Sequence, residues 1–353
     1  MEKRIAVFGA GAIGGYVGGQ LAEGGFDVTL IDPWPEHIEA IRLNGLCIEG
    51  LTREEFICPH PRTLHVTEVQ KLAKEKPIDI AFIAVKSYDT EWASLLMSQY
   101  LAADGFLVSL QNCMNEARIA AIVGWEKTLG AIPALLSAEL YAPGRVRRTV
   151  AKGASEHDIF RVGEVHGRIT PRLLELASIL RKIDTVTVTR NLWGERWSKL
   201  CVNGMRNGIG AATGLSGIEI DSDPQLRRFS IGLGGEAVRV GQALGYALEP
   251  IRMHDPETLA RAAEGDGKAF DRIESEILAA VGANTRSAEQ RPSMGQDMRK
   301  GRRTEIDFIN GLIIEKAKEV GRGAATHEKL LDCVKRVERG EIPADRENLT
   351  RLL

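Results

Sequence analysis

Gly9-Ala10-Gly11-Ala12-Ile13-Gly14 follows directly on the apolar run Arg4-Ile5-Ala6-Val7-Phe8 and leads into residues with apolar positions at helical spacing. A strand, a G-x-G-x-x-G turn and a helix in that order open a βαβ unit that binds a dinucleotide. Gly9 permits the tight turn, Gly11 lets a pyrophosphate approach the backbone, and Gly14 lets helix and strand close up. The free N–H groups at the helix start, from Ala12 and Ile13, then face the phosphates. The same glycines would also suit a bend that holds no ligand, but the ordered strand, helix and second strand speak against that.

The series continues. Gly24-Gly25 ends the first helix, "FDVTLID" reads as a second strand, and "EHIEAIRLNG" reads as a helix stopped by Gly45. "IDIAFIAVK", "GFLVSLQN", "KTLGAIPALL" and "DTVTVT" supply further strand-like runs. Strands interleaved with helices predict an α/β fold with a Rossmann-type, doubly wound parallel sheet. From about residue 190 the strand signals stop and helical patterns take over, which predicts an all-α C-terminal domain. The 353 residues therefore divide into a dinucleotide-binding domain over 1–189 and a helical domain over 190–353.

Asp32 closes the second strand, where a carboxylate accepts hydrogen bonds from an adenosine ribose and repels a 2′-phosphate. Pro33-Trp34-Pro35 brings no cation, and Arg42 lies farther on in the next helix. NAD(H) is therefore the favoured cofactor, with NADP(H) as the alternative. Asp32 would also serve as the first residue of a loop ahead of proline.

The formal net charge of -2 and the mixture of 44% hydrophobic and 27% charged residues describe a soluble globular chain with no nucleic acid or membrane as partner. No apolar run approaches the ~20 residues of a membrane span. The start, Met1-Glu2-Lys3-Arg4, leads straight into a strand-like run and reads as lacking a signal peptide, so a cytoplasmic location is expected. Five scattered cysteines without a C-x-x-C pair predict free thiols in a reducing compartment. Seven dispersed histidines without an H-x-x-x-H pair leave a metal site unsupported.

In the helical half, "NLWGERWSKLCVNGMRNGIGAATG" places Lys199, Asn203 and Asn207 at i, i+4 and i+8, on one helix face. An ammonium flanked by two carboxamides in an otherwise apolar segment reads as a substrate-facing stripe, or else as a solvated edge. Glycines 204, 208 and 210 would weaken such a helix unless close backbone packing needs them. Farther on, Arg299 to Arg303 is strongly basic and precedes Glu305, Asp307 and an apolar-periodic helix to Val320. By spacing alone these charges read as a solvated helix start.

Taken together, GAGAIG, "AVKS" with Lys86, Gln111-Asn112, "WSKLCVNGMRN" and "PSMGQDMRKGRRTEID" resemble the ketopantoate reductase family along nearly the whole chain. The last two motifs are more specific than the glycine loop. The resemblance implies a Rossmann domain joined to a helical one, with the active site in the cleft between them. It assigns Lys199 as the general acid that protonates a carbonyl oxygen as hydride arrives. Asn203 and Asn207 become substrate contacts, and Ser293 the partner of a substrate carboxylate. Glu305 would hold a substrate hydroxyl and orient the lysine, and Lys86 and Asn112 would lie beside the nicotinamide. Four features depart from the family: Pro33 stands where NADP(H)-using members usually have an arginine, Cys113 where a glycine commonly follows "QN", Asn115 where another small residue is frequent, and 251–291 runs longer than usual. That segment would reshape the pocket or build a subunit contact, for instance in a homodimer.

The expected function is therefore hydride transfer between NAD(P)(H) and a 2-keto or 2-hydroxy acid, 2-dehydropantoate or a related small molecule. An NAD-dependent catabolic dehydrogenase for another hydroxy acid is the alternative enzyme. A non-catalytic NAD-binding redox sensor would have no need of a proton donor at Lys199. A structural subunit would rest on the 251–291 segment alone. The substrate side chain and the direction of reaction are not legible in the residues.

Overall fold

The computed structural model describes residues 3–152, 159–282 and 291–352. The chain forms two compact units that divide between Leu192 and Trp193.

The first unit opens with β1 (Arg4–Phe8), α1 (Ala12–Glu23), β2 (Asp27–Asp32) and α2 (Pro35–Asn44). β1 pairs in parallel with β2, as a βαβ crossover requires. Next come β3 (Cys47–Glu49), β4 (Arg62–His65), β5 (Ile78–Ile83), α3 (Thr90–Ser98), β6 (Leu101–Ser109), α4 (Glu116–Val123) and β7 (Thr128–Pro133). β8 (Ala138–Ala142), β9 (Arg145–Arg148), β10 (Phe160–Glu164), α5 (Pro171–Leu180) and β11 (Val186–Thr189) complete the unit.

Eight strands join in the order β11-β10-β7-β6-β5-β1-β2-β4, so β4 and β11 are the edges. Every described neighbour pair is parallel except β10 with β7. Both faces are covered, which is why the strands read as unbroken apolar runs. Side chains alternate across the sheet: Ile5 and Val7 of β1 enter one apolar cluster, and Ala6 and Phe8 the other.

Two features go beyond the alternation of strand and helix. β3, β9 and β8 form a separate three-stranded sheet. In addition, Ile48 and Ile57 bridge antiparallel, which brings Cys47 and Cys58 to a Cα separation of 4.0 Å, joined by a disulfide. The expectation of five free thiols is thus corrected. The bridge closes a local loop across 11 residues, a spacing that carries no motif. Cys113, Cys201 and Cys333 are buried thiols outside this disulfide.

The second unit is helical. α6 (Leu192–Thr213) leads into α7 (Gly217–Ser222), α8 (Pro224–Ala243), α9 (Pro256–Ala263), α10 (Gly267–Gly282), α11 (Ser293–Arg299), α12 (Ile306–Glu319), α13 (Ala325–Glu338) and α14 (Glu347–Thr350). The long 251–291 segment provides α9 and α10, whose Leu259, Ala260, Ile273 and Ile277 are buried. Its described part thus belongs to this unit's core, whereas 283–290 lies outside the described residues. Among the described residues, no helix is long and apolar enough to cross a membrane.

Candidate active site

In the first unit the three glycines of the loop have different surroundings. Gly9 has φ +99°, and a Cβ there would lie 2.7 Å from the Val85 nitrogen. A Cβ on Gly14 would lie 2.0 Å from the Gly9 carbonyl oxygen and 2.8 Å from the Ala84 Cβ. Gly11 is different: a Cβ there would meet nothing within 4 Å. Gly11 is also the N-cap of α1, with no side-chain cap, and the first turn, which contains Ala12 and Ile13, carries no acidic residue. An uncapped, acid-free helix start beside open space suits a pyrophosphate.

The Ala10 peptide is held from both sides. Its N–H donates to Asp32 Oδ2 at 2.8 Å, and Trp34 N–H donates to Asp32 Oδ1 at 2.9 Å. Both Asp32 carboxylate oxygens thus brace the loop at the end of β2. His37 completes the clamp. Gly144 N–H donates to its Nδ1 at 2.9 Å, which places the ring proton on Nε2, and Nε2 then donates to the Ala10 carbonyl at 2.8 Å. Trp34 stacks on the His37 ring at 5.6 Å. Sequence reasoning missed His37 because its partners are far away in the chain and a lone histidine on a helix has no motif.

Arg42, the nearest arginine after β2, is engaged elsewhere. It bonds Glu39 at 2.6 Å, pairs with Glu68, and donates to the Thr63 carbonyl at 3.1 Å.

Lys86 is half-buried at the start of a 3-10 turn over Ser87–Asp89. The loop with Asn112 is tied to this turn. Gln111 Nε2 donates to the Val85 carbonyl and to Thr90 Oγ1, both at 2.8 Å. Asn115 Nδ2 donates to Ser87 Oγ at 3.2 Å and to the Asn112 carbonyl at 2.9 Å. Cys113 has φ +67°, the left-handed region that favours glycine. Its side chain is buried, so a small thiol occupies a backbone position suited to glycine.

In the second unit, Lys199, Asn203 and Asn207 share one face of α6. Lys199 and Asn203 are half-buried and Asn207 is buried. The Asn203 Nδ2 atom is buried without a hydrogen-bond partner. Such a donor is costly unless something accepts from it, on the order of 1–3 kcal/mol. The glycines of α6 have the packing reason their presence demands. A Cβ on Gly204 would lie 3.0 Å from Ile313 Cδ1, on Gly208 2.8 Å from Leu330 Cδ2, and on Gly210 2.9 Å from Pro292 Cγ. The last contact brings α6 against the residue before Ser293, which opens α11.

Glu305 is not the solvated charge that its basic surroundings suggest: it is only 4% exposed. It is the N-cap of α12, and its carbonyl accepts from Phe308 and Ile309, each at 3.0 Å. Among the described residues, no group of three or more His, Cys, Asp or Glu side chains could hold a metal ion.

Comparison with known proteins matches both units. The family model described as ketopantoate reductase PanE/ApbA matches residues 5–157, and its C-terminal counterpart matches 191–338. The 2-dehydropantoate 2-reductase of Pyrococcus horikoshii is 33% identical over 337 residues, covering 95% of this chain and 97% of the relative. The crystal structure of 2-dehydropantoate 2-reductase from Geobacter metallireducens GS-15 superposes with a TM-score of 0.76 at 25% identity, covering 95% and 99% of the two chains. D-mandelate dehydrogenase, solved with NADH and anilino(oxo)acetate, has the same fold, with a TM-score of 0.76 at 22% identity over 96% and 98%.

Proposed function

This chain belongs to the ketopantoate reductase family, and from that premise we propose that it interconverts a 2-keto acid and its 2-hydroxy acid with NAD(H). That it is an oxidoreductase of this family follows from the matches to both units. The proposal concerns the residue roles, the cofactor and the class of substrate.

The observation that carries the residue roles is the α6 stripe, with Lys199 beside an Asn203 amide whose buried donor lacks a partner. A substrate oxygen is the acceptor this donor calls for. When bound, the reduced nicotinamide supplies the hydride to C2 of the keto acid. Gly11, the N–H groups of Ala12 and Ile13, and Asp32 would hold its dinucleotide end, and Lys86 and Asn112 its nicotinamide end. The Lys199 ammonium hydrogen-bonds the substrate carbonyl oxygen, offsets the negative charge that grows there, and gives up its proton. Asn203 and Asn207 orient the substrate, and Ser293 donates to its carboxylate. Glu305 accepts from a substrate hydroxyl and steers the lysine.

Asp32, Pro33 and the ion pairs that occupy Arg42 favour NAD(H) over NADP(H). D-mandelate dehydrogenase, which shares the fold, is solved with NADH. Assaying a panel of 2-keto and 2-hydroxy acids with both cofactors, read at the reduced nicotinamide absorbance band, should give turnover with NADH at higher kcat/KM than with NADPH. Asp32→Ala combined with Pro33→Arg should narrow or reverse that gap. A wild type that prefers NADPH would sink the cofactor reading.

The same panel tests Glu305. A keto acid lacking the hydroxyl forgoes the hydrogen bond that this buried carboxylate is proposed to accept, which costs about 1–3 kcal/mol. Hydroxylated substrates should therefore exceed their deoxy analogues in kcat/KM by roughly tenfold, and Glu305→Ala should remove most of the preference. Equal values in the wild type would mean that Glu305 reads no hydroxyl.

A further inference from the structure

Behind the Lys199 helix lies a chain of buried polar groups to which no role above has been assigned. Asn310, on α12, donates from Nδ2 to the Gly204 carbonyl of α6 at 3.1 Å. The same Nδ2 lies 2.9 Å from His327 Nδ1 on α13. An amide nitrogen can only donate, so Nδ1 accepts and the imidazole proton sits on Nε2. Nε2 then donates to the Leu233 carbonyl of α8 at 2.9 Å. Both side chains are fully buried. Burial pushes the His327 imidazole down to about 4, so it stays neutral and keeps this one arrangement.

The chain is anchored at its far end as well. Glu236 of α8 accepts from Thr326 N–H at 3.0 Å, Thr326 Oγ1 at 2.6 Å and His327 N–H at 3.3 Å. A helix start that has no cap of its own is thus capped from another helix, and His327 is fixed in place. At the near end, Gly204 lacks the Cβ that would fall 3.3 Å from His327 Cε1 and 3.9 Å from Asn310 Nδ2. One turn along, a Cβ on Gly208 would lie 3.2 Å from Ile306 Cδ1, the residue after Glu305.

We infer that Asn310 and His327 are positioning residues that fix the register of the helix opened by Glu305 against the helix that carries Lys199, Asn203 and Asn207. The inference rests on the roles proposed above for those residues. Two observations separate it from ordinary packing. Asn310 bonds the carbonyl next to Asn203, midway along the polar stripe, and it sits on the helix that Glu305 caps. Its Oδ1 is also buried without a partner, a cost an apolar side chain would avoid. Stability alone therefore does not call for an amide at 310. Apolar contacts permit small slides between helices, whereas a directed hydrogen bond to one carbonyl selects one register.

The test uses the whole chain. The double variant Asn310→Leu/His327→Leu removes both partners together, so neither is left stranded. It should keep its melting temperature within a few degrees and bind NADH with unchanged affinity. Its KM for the preferred keto acid should rise about tenfold, and its kcat should fall by about as much, since small displacements of catalytic groups are costly. Should the double variant fail to fold, Asn310→Ser decides on the same constants, because serine is too short to span to Gly204. A folded variant with wild-type kcat and KM overturns the inference. So does a variant whose kcat falls with its active fraction while KM stays fixed, which is the mark of a purely structural role. Parallel measurement of Lys199→Ala keeps the two readings apart. If that variant is fully active, the proposed function fails. If it is impaired while the Asn310 variants behave as wild type, only the positioning role fails.

Discussion

Replacing Lys199 with alanine should lower kcat by about 10²-fold or more, the usual scale for loss of a general acid. In the proposed role the ammonium has two tasks in the same step: stabilising charge on the substrate oxygen and delivering the proton. Both are realised only as the carbonyl is reduced, so kcat and kcat/KM should fall together with little change in KM. NADH affinity should be unaffected, because the dinucleotide is assigned to residues of the other unit. Steady-state kinetics with the preferred keto acid and direct titration of NADH provide the check. Turnover close to wild type would show that another group moves the proton.

The second large effect separates two glycines that are three residues apart. Gly11→Ala should fold as the wild type does, since φ at Gly11 is -64° and its Cβ would meet nothing within 4 Å. It should nevertheless weaken NADH binding by roughly tenfold or more, because the methyl group would stand where the pyrophosphate is proposed to approach the backbone. Gly14→Ala should behave in the opposite manner. Its Cβ would fall 2.0 Å from a carbonyl oxygen of the same loop, so backbone must shift. Overpacking costs typically about 1–3 kcal/mol, and here a drop of several degrees in melting temperature is expected even without cofactor. Thermal melts with and without NADH distinguish the two. A Gly11→Ala protein that binds NADH normally would place the pyrophosphate elsewhere.

The contrast between these glycines was legible in the sequence because the G-x-G-x-x-G turn is a local device whose tasks follow from backbone geometry. The α6 stripe was legible for a similar reason: helical periodicity alone puts Lys199, Asn203 and Asn207 on one face. What escaped were interactions between distant parts of the chain. The small sheet pairs Cys47 with Arg145, and neither flank carries a turn signal that names the other. His37 holds Ala10 and Gly144 through one imidazole, yet a single histidine in an amphipathic helix does not declare its partners. Glu305 was misjudged by spacing alone, since the arginines before it suggest solvent while the fold buries it. The family resemblance supplied a role for Glu305 that its spacing could not.

The outermost strands of the eight-stranded sheet bear on how this chain avoids its neighbours while it folds. β4 and β11 are four residues each, the shortest strands in that sheet, and Arg62 of β4 is ion-paired with Glu75. A sheet rim is a template on which another chain can add a strand, and short rims bearing charge are poor templates. The long apolar strands that would aggregate most readily, β5 and β6, lie in the middle with partners on both sides. Crowded synthesis should therefore endanger this protein chiefly before β4 and β11 have docked, when those central strands still lack their flanks.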